Sequence, residues 1–107
     1  MGIPPMSEGV PEQVREANRH YGEPVYTSDG VQVGTFDQLI YGGPPGETKP
    51  YLLVTTGPLA SRFNSDSLYI PGSAVEKMGD NRVTLNVTDR TIGEEGWVSP
   101  PLGAGRW

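Results

Sequence analysis

Glycine and proline interrupt this sequence so often that its apolar residues fall into short runs, and no run is long enough for an extended helix. The chain contains 15 glycines and 11 prolines among its 107 residues. Short apolar runs bounded by turn residues are typical of β-strands. Five or six such strands in a chain this small predict an all-β fold, a half-open antiparallel β-barrel.

The first strong hairpin signal is Asp29-Gly30, which separates β-type runs at 24–28 and 31–41. Asp-Gly between such runs favours a tight hairpin turn, because glycine accepts the positive φ that the turn requires. Within the second run, the alternation of apolar and polar residues breaks at Gly34. A glycine at a change of phase predicts a β-bulge or a bend.

Two later runs differ in how much of each strand they bury. Residues 51–56 are almost continuously apolar, which indicates a strand with both faces at least partly covered. Residues 82–88 alternate strictly, which indicates one buried and one solvated face. The apolar positions of the predicted strands are expected to form one core: Val33, Phe36, Leu52, Val54, Leu68, Ile70, Val75, Val83, Leu85 and Val87.

Three parts are expected along the chain. Residues 1–20 form an N-terminal extension, mobile over its first ten residues and with a possible short helix within 11–20. Residues 21–98 form the barrel domain. Residues 99–107, rich in glycine and proline, form a C-terminal tail.

The composition excludes several classes of function. The net charge of −5 opposes direct binding to nucleic acid, because the phosphate backbone is itself anionic. The absence of cysteine excludes disulfides, thiolate catalysis and cysteine-ligated zinc. No apolar run spans a bilayer, and the N-terminus lacks the features of a signal peptide. A cytoplasmic protein without membrane contact is expected.

The sequence offers no recognisable catalytic, metal or cofactor site. His20, the single histidine, has no identifiable catalytic partner and is expected to be a solvated surface residue. The loop 42–49 resembles a phosphate loop only weakly, because Pro44 and Pro45 remove backbone donors. We expect no enzyme activity, no cofactor and no metal.

The candidate partner contacts are Arg62, Phe63 and Trp107. Arg62 and Phe63 are adjacent in a loop of small and polar residues, and Trp107 ends the tail. Arginine and aromatic side chains dominate the energetics of many interfaces. A competing interpretation is that Phe63 folds back as a lid over an open end of the barrel.

The order of these motifs resembles the PRC-barrel superfamily, which is named after the H subunit of the photosynthetic reaction centre. The superfamily also includes the C-terminal domain of the bacterial ribosome maturation factor. The resemblance covers residues 23–98 and is closest to stand-alone bacterial members. The residues that carry it are Val25-Tyr26 with Ser28-Asp29-Gly30, Val33-Gly34-Thr35-Phe36, Tyr51–Val54, Leu68-Tyr69-Ile70-Pro71 with Ser73-Ala74-Val75, and the hairpin through Gly79-Asp80-Asn81 into Val83–Val87.

The resemblance implies a non-catalytic adaptor that binds another protein, with a homodimer as one possible assembly. A first alternative is an RNA-processing or ribosome-associated role, exercised by docking on a basic ribosomal protein. A second alternative is a β-barrel that binds a small ligand or acts as an enzyme. Because a fold does not determine a function, the resemblance leaves the identity of the partner open.

Overall fold

The computed structural model describes residues 12–44 and 46–107, which form a six-stranded sheet with short helices. The predicted mobility of residues 1–10 falls outside the described residues. The strands are β1 (Pro24–Tyr26), β2 (Gln32–Gly42), β3 (Lys49–Thr55), β4 (Ser67–Pro71), β5 (Val75–Gly79) and β6 (Arg82–Leu85). The α-helices are α1 (Glu12–Asn18), α2 (Ala60–Phe63) and α3 (Asp89–Glu94), and 3₁₀ turns occupy Gly57–Leu59 and Gly72–Ala74.

The strands lie side by side in the order β4-β3-β2-β1-β6-β5, so that β4 and β5 are the two edges of an open sheet. The predicted β-rich fold is confirmed. The prediction of wholly antiparallel pairing is wrong at one place, because β1 and β6 run parallel, with Val25 opposite Val83. Hairpin signals concern strands that are neighbours in sequence, and they carry no information on how the first strand meets the last.

Both predicted tight turns form. At the first turn, the Thr27 N–H donates to the Val31 carbonyl over 2.8 Å, and Gly30 has a φ of +82°. At the second, Asp80 and Asn81 have φ values of 57° and 62°. Two left-handed residues between paired strands define the hairpin turn whose twist matches that of the sheet. The Lys77 ammonium, 2.7 Å from Asp80 Oδ2, lowers the pKa of that carboxyl.

The bulge predicted at Gly34 is confirmed. Val25 pairs with Gly34 and Tyr26 pairs with Gln32, so that Val33 is an extra residue on β2. A Cβ atom at Gly34 would clash with the Thr55 carbonyl oxygen of β3. Glycine is therefore required here for the close approach of two backbones.

One hydrophobic core lies against the sheet. Of the ten predicted core residues, eight are buried, and the other two, Val75 and Val87, pack against the cluster while partly exposed. Residues of β4 and of β6 belong to the same cluster, as does Ile92 of α3. The sequence-based list omits four buried members of the cluster: Ala17, Val25, Ala74 and Ile92.

The predicted N-terminal helix forms as α1 and docks on β2. Val14 and Ala17 are buried on one side of the helix. The Asn18 side-chain oxygen accepts a hydrogen bond of 2.9 Å from the Leu39 N–H. A helix this short gains its stability from such docking rather than from its own propensity. Within the described residues, no helix is long and apolar enough to cross a membrane.

Candidate interaction surface

The C-terminal segment, residues 99–107, is attached to the end of β2 by its backbone. The Tyr41 N–H donates to the Gly105 carbonyl and the Gly105 N–H donates to the Tyr41 carbonyl, each over 2.9 Å. The Gly43 N–H donates to the Leu102 carbonyl over 2.7 Å. On β2, β1 pairs with the first residues alone. The same edge of β2 is therefore free, towards the end of the strand, to pair with the C-terminal segment. The surface therefore includes a piece of chain held in register by the sheet.

An aromatic contact completes this attachment. The rings of Trp107 and Tyr41 meet edge to face, with centroids 5.4 Å apart and an interplanar angle of 73°. This arrangement is favourable because the positive ring edge meets the negative ring face. The Tyr41 ring also lies over Gly105, where a Cβ atom would be 2.5 Å from the ring. Only glycine leaves room for Tyr41 at this position.

Replacing Gly105 with alanine is expected to displace the Tyr41 ring and to break its contact with Trp107. The overpacking should cost about 1–2 kcal/mol of the free energy of unfolding. Chemical denaturation and the indole signal of Trp107 in an NMR spectrum measure the two effects. Gly93→Ala is the matched control, because a Cβ atom there meets nothing within 4 Å. Unchanged spectra for Gly105→Ala would contradict the described packing.

The sheet has a second apolar face, which points away from the core. Leu39 pairs with Leu52 on the core side, so the next pair, Ile40 and Tyr51, lies on the outer side. Ile40 is only 5% exposed although it is outside the core cluster. The C-terminal segment lies over this outer face beside it. Between sheet and segment runs a groove of about 340 Å³, called here the outer groove, which is lined by Ile40, Leu53, Tyr69, Pro100, Ala104, Gly105 and Arg106.

The C-terminal segment also carries an exposed apolar side chain. Leu102, in the same C-terminal segment, is 73% exposed. Leu53 and Tyr69, which pair across β3 and β4, are half-buried in the groove. Apolar side chains gathered beside a groove and rimmed by polar groups are typical of interaction sites.

Most of the Lys and Arg side chains already have an acidic or aromatic partner within the chain. Of the eight Lys and Arg residues, five form ion pairs with acidic side chains and a sixth lies over an aromatic ring. These six are Arg15, Arg19, Arg62, Lys77 and Arg90, in ion pairs, and Arg82, over Tyr26. Lys49 and Arg106 have no such partner within the part of the chain that the structure describes.

The two remaining cations lie at the same end of the sheet. Arg106 lines the outer groove. Lys49 pairs across the sheet with Gly42, whose Cβ position would contact Pro101 of the C-terminal segment. The overall charge of the protein is negative, so this end combines apolar surface with cations that have no acidic partner among the described residues.

The structure brings two of the predicted contact residues together and places the third elsewhere. Arg62 and Phe63 lie on α2 and line a cleft of about 310 Å³ against α3. Arg62 forms an ion pair of 3.1 Å with Asp89, and Phe63 packs against the hydrophobic core while partly exposed. Trp107 contacts Tyr41 at the end of β2. Arg62 and Phe63 therefore already have partners within the chain.

His20 has a partner that sequence reasoning did not identify. Its Nδ1 atom lies 2.7 Å from Glu23 Oε1, and both side chains are about a quarter exposed. The expectation that His20 is a solvated surface residue is thus wrong, because its side chain is mostly buried and paired with Glu23. The pair joins the end of the α1 turn to the start of β1, which suits a structural role.

The outer groove was missing from the sequence-based candidates, although two signals pointed to it. Leu39 and Ile40 are consecutive apolar residues, and neighbours in a strand face opposite sides of the sheet. The almost continuous apolarity of β3 has the same meaning, and the half-buried Tyr51 and Leu53 confirm that both of its faces are partly covered. What no local pattern indicates is that residues 99–107 return to this face.

No family model, curated protein or solved structure matches this chain. Its function is therefore inferred from the geometry of its own residues.

Proposed function

We propose that this chain is a non-catalytic protein–protein interaction module whose partner binds across the outer groove and the C-terminal segment. The observation that carries the proposal is the apolar groove of Leu53 and Tyr69 under a C-terminal segment that also exposes Leu102. Burial of this surface by a partner would remove apolar area from water, which is the main favourable term in association.

The kinds of side chain at this surface also favour an interface. Trp107, Tyr41, Tyr69 and Arg106 lie in or beside the groove. Tyrosine, tryptophan and arginine are enriched among the residues that contribute most to binding. The backbone pairing of the segment with β2 reduces the entropy that a partner must remove when it binds.

The adaptor role agrees with the resemblance to the PRC-barrel superfamily. As part of the same proposal, the curved sheet is the half-open barrel of that family. Its support is that the chain after β6 returns to β4, where the Trp97 carbonyl accepts a hydrogen bond of 2.7 Å from the Tyr69 N–H. The hairpins at Asp29-Gly30 and Asp80-Asn81 occur where the family pattern requires turns.

The test is a pull-down from cells that naturally contain the protein, read by mass spectrometry, with two matched variants. Leu102→Ser removes the exposed apolar side chain of the C-terminal segment. Tyr21→Ser removes one of equal exposure, 73%, in the turn after α1. We expect the wild type and Tyr21→Ser to capture the same protein, and Leu102→Ser to lose most of it.

Equal loss with both variants, or with neither, would contradict the proposed surface. Sedimentation equilibrium separates a second copy of this chain from a different partner. A wild-type mass of twice the monomer, reduced by Leu102→Ser alone, identifies the partner as the chain itself.

A further inference from the structure

We propose that the outer groove receives an acidic segment of the partner, with a large apolar side chain in the groove and a neighbouring carboxylate on Arg106. The inference rests on the proposed function and adds the chemical class of the segment that binds. Its evidence is that the apolar outer groove lies beside cations that lack an acidic partner among the described residues.

The outer groove can hold the apolar side chain of this segment. Its volume of about 340 Å³ is near the lower end of the range of roughly 300–1,000 Å³ that is typical of ligand pockets. Ile40, Leu53 and Tyr69 supply its sheet side, and Ala104 and Pro100 supply the opposite side. A leucine- or phenylalanine-sized side chain fits such a space, whereas a whole folded domain does not.

The charges account for the acidic part. Arg106 is exposed where it lines the groove, and its guanidinium has five donors suited to a carboxylate. Lys49 adds a second cation at the same end of the sheet. Among the described residues, the other six cations are already engaged with acidic or aromatic side chains. A partner's carboxylate therefore competes with no internal ion pair here.

The overall charge makes this preference testable. The chain carries −5, so a nonspecific attraction favours a basic peptide over an acidic one. A preference for the acidic peptide must then come from the local arrangement around Arg106. The overall charge and the proposed site therefore predict opposite peptide preferences, so the experiment can distinguish them.

The experiment compares three short synthetic peptides with blocked ends, at low salt, by NMR titration of the isotope-labelled chain. The first is Glu-Asp-Leu-Asp-Glu, the second replaces its leucine with alanine, and the third replaces its acids with lysine. We expect the first peptide to bind about fivefold or more tightly than either control. The shifted amides should be those of Leu53, Tyr69, Gly105 and Arg106.

Two variants test the two parts of the site separately. Arg106→Gln should weaken binding of the acidic peptide by about two- to fivefold, as expected for a solvent-exposed ion pair. Ala104→Leu, at an exposed lining position, should fill the groove and abolish the difference between the leucine and alanine peptides. Arg90→Gln, on α3, is the matched charge control and should leave binding unchanged.

The results distinguish failure of this inference from failure of the proposed function. Equal binding of all three peptides, a preference for the basic one, or no binding at all would overturn the acidic class. If the Leu102→Ser variant still loses its partner in the pull-down, the interaction surface stands and only the chemistry of the partner was wrong. If both experiments fail, the surface itself is wrong.

Discussion

Phe36→Ala is expected to lower the free energy of unfolding by about 3–5 kcal/mol, the cost of deleting a fully buried phenylalanine side chain. Phe36 is 1% exposed and lies on β2 opposite Val54 of β3, within the single core. The substitution removes the apolar contacts and leaves a cavity in the core that packs against the sheet. Urea denaturation followed by circular dichroism measures the change.

Such a loss is a large part of the stability of a small domain, which is about 5–15 kcal/mol in total. Tyr21→Ala is the control, because Tyr21 is 73% exposed and its truncation should change stability by less than about 0.5 kcal/mol. Equal effects of the two substitutions would show that Phe36 is not part of a packed core.

Phe63→Ala is expected to cost about 2–3 kcal/mol, because Phe63 packs against the core from α2 while partly exposed. This expectation follows the interpretation of Phe63 as a lid, with its side chain turned inward. The role of Arg62 and Phe63 as partner contacts stays a prediction. The denaturation midpoint and the sedimentation mass of the same variant address both interpretations together.

Arg62→Met is the companion variant. It breaks the ion pair with Asp89, whose partly exposed side chains limit its contribution to less than about 1 kcal/mol. A large loss of stability in Phe63→Ala with unchanged association would exclude this loop as an interface. The reverse result, normal stability with weaker association, would restore Phe63 as a partner contact.

The parts of the fold that depend on neighbouring residues were predictable from the sequence. The turns at Asp29-Gly30 and Asp80-Asn81, the bulge at Gly34 and most core positions follow from glycine, turn residues and alternation. Ile92 was omitted from the core list because a single apolar residue in a polar helical turn has no periodicity to reveal it.

The parts that depend on distant residues were not predictable. The parallel contact of β1 with β6 joins the first strand to the last, and no local pattern specifies it. The outer groove depends on where the chain goes after residue 99. Its apolar floor was indicated by Leu39-Ile40 and by β3, but its cover and its cation, Arg106, come from a segment that composition described only as a tail.

The position of β1 between β2 and β6 has a consequence for the order of folding. β1 has only three residues, and its second neighbour, β6, leaves the ribosome after the other five described strands of the sheet. Until then the β1–β2 hairpin has an open edge and Val25 lacks the packing of Val83. A contact that spans most of the chain requires a large loop to close first, and such contacts slow folding. The sheet is therefore completed only after β6 has been synthesised.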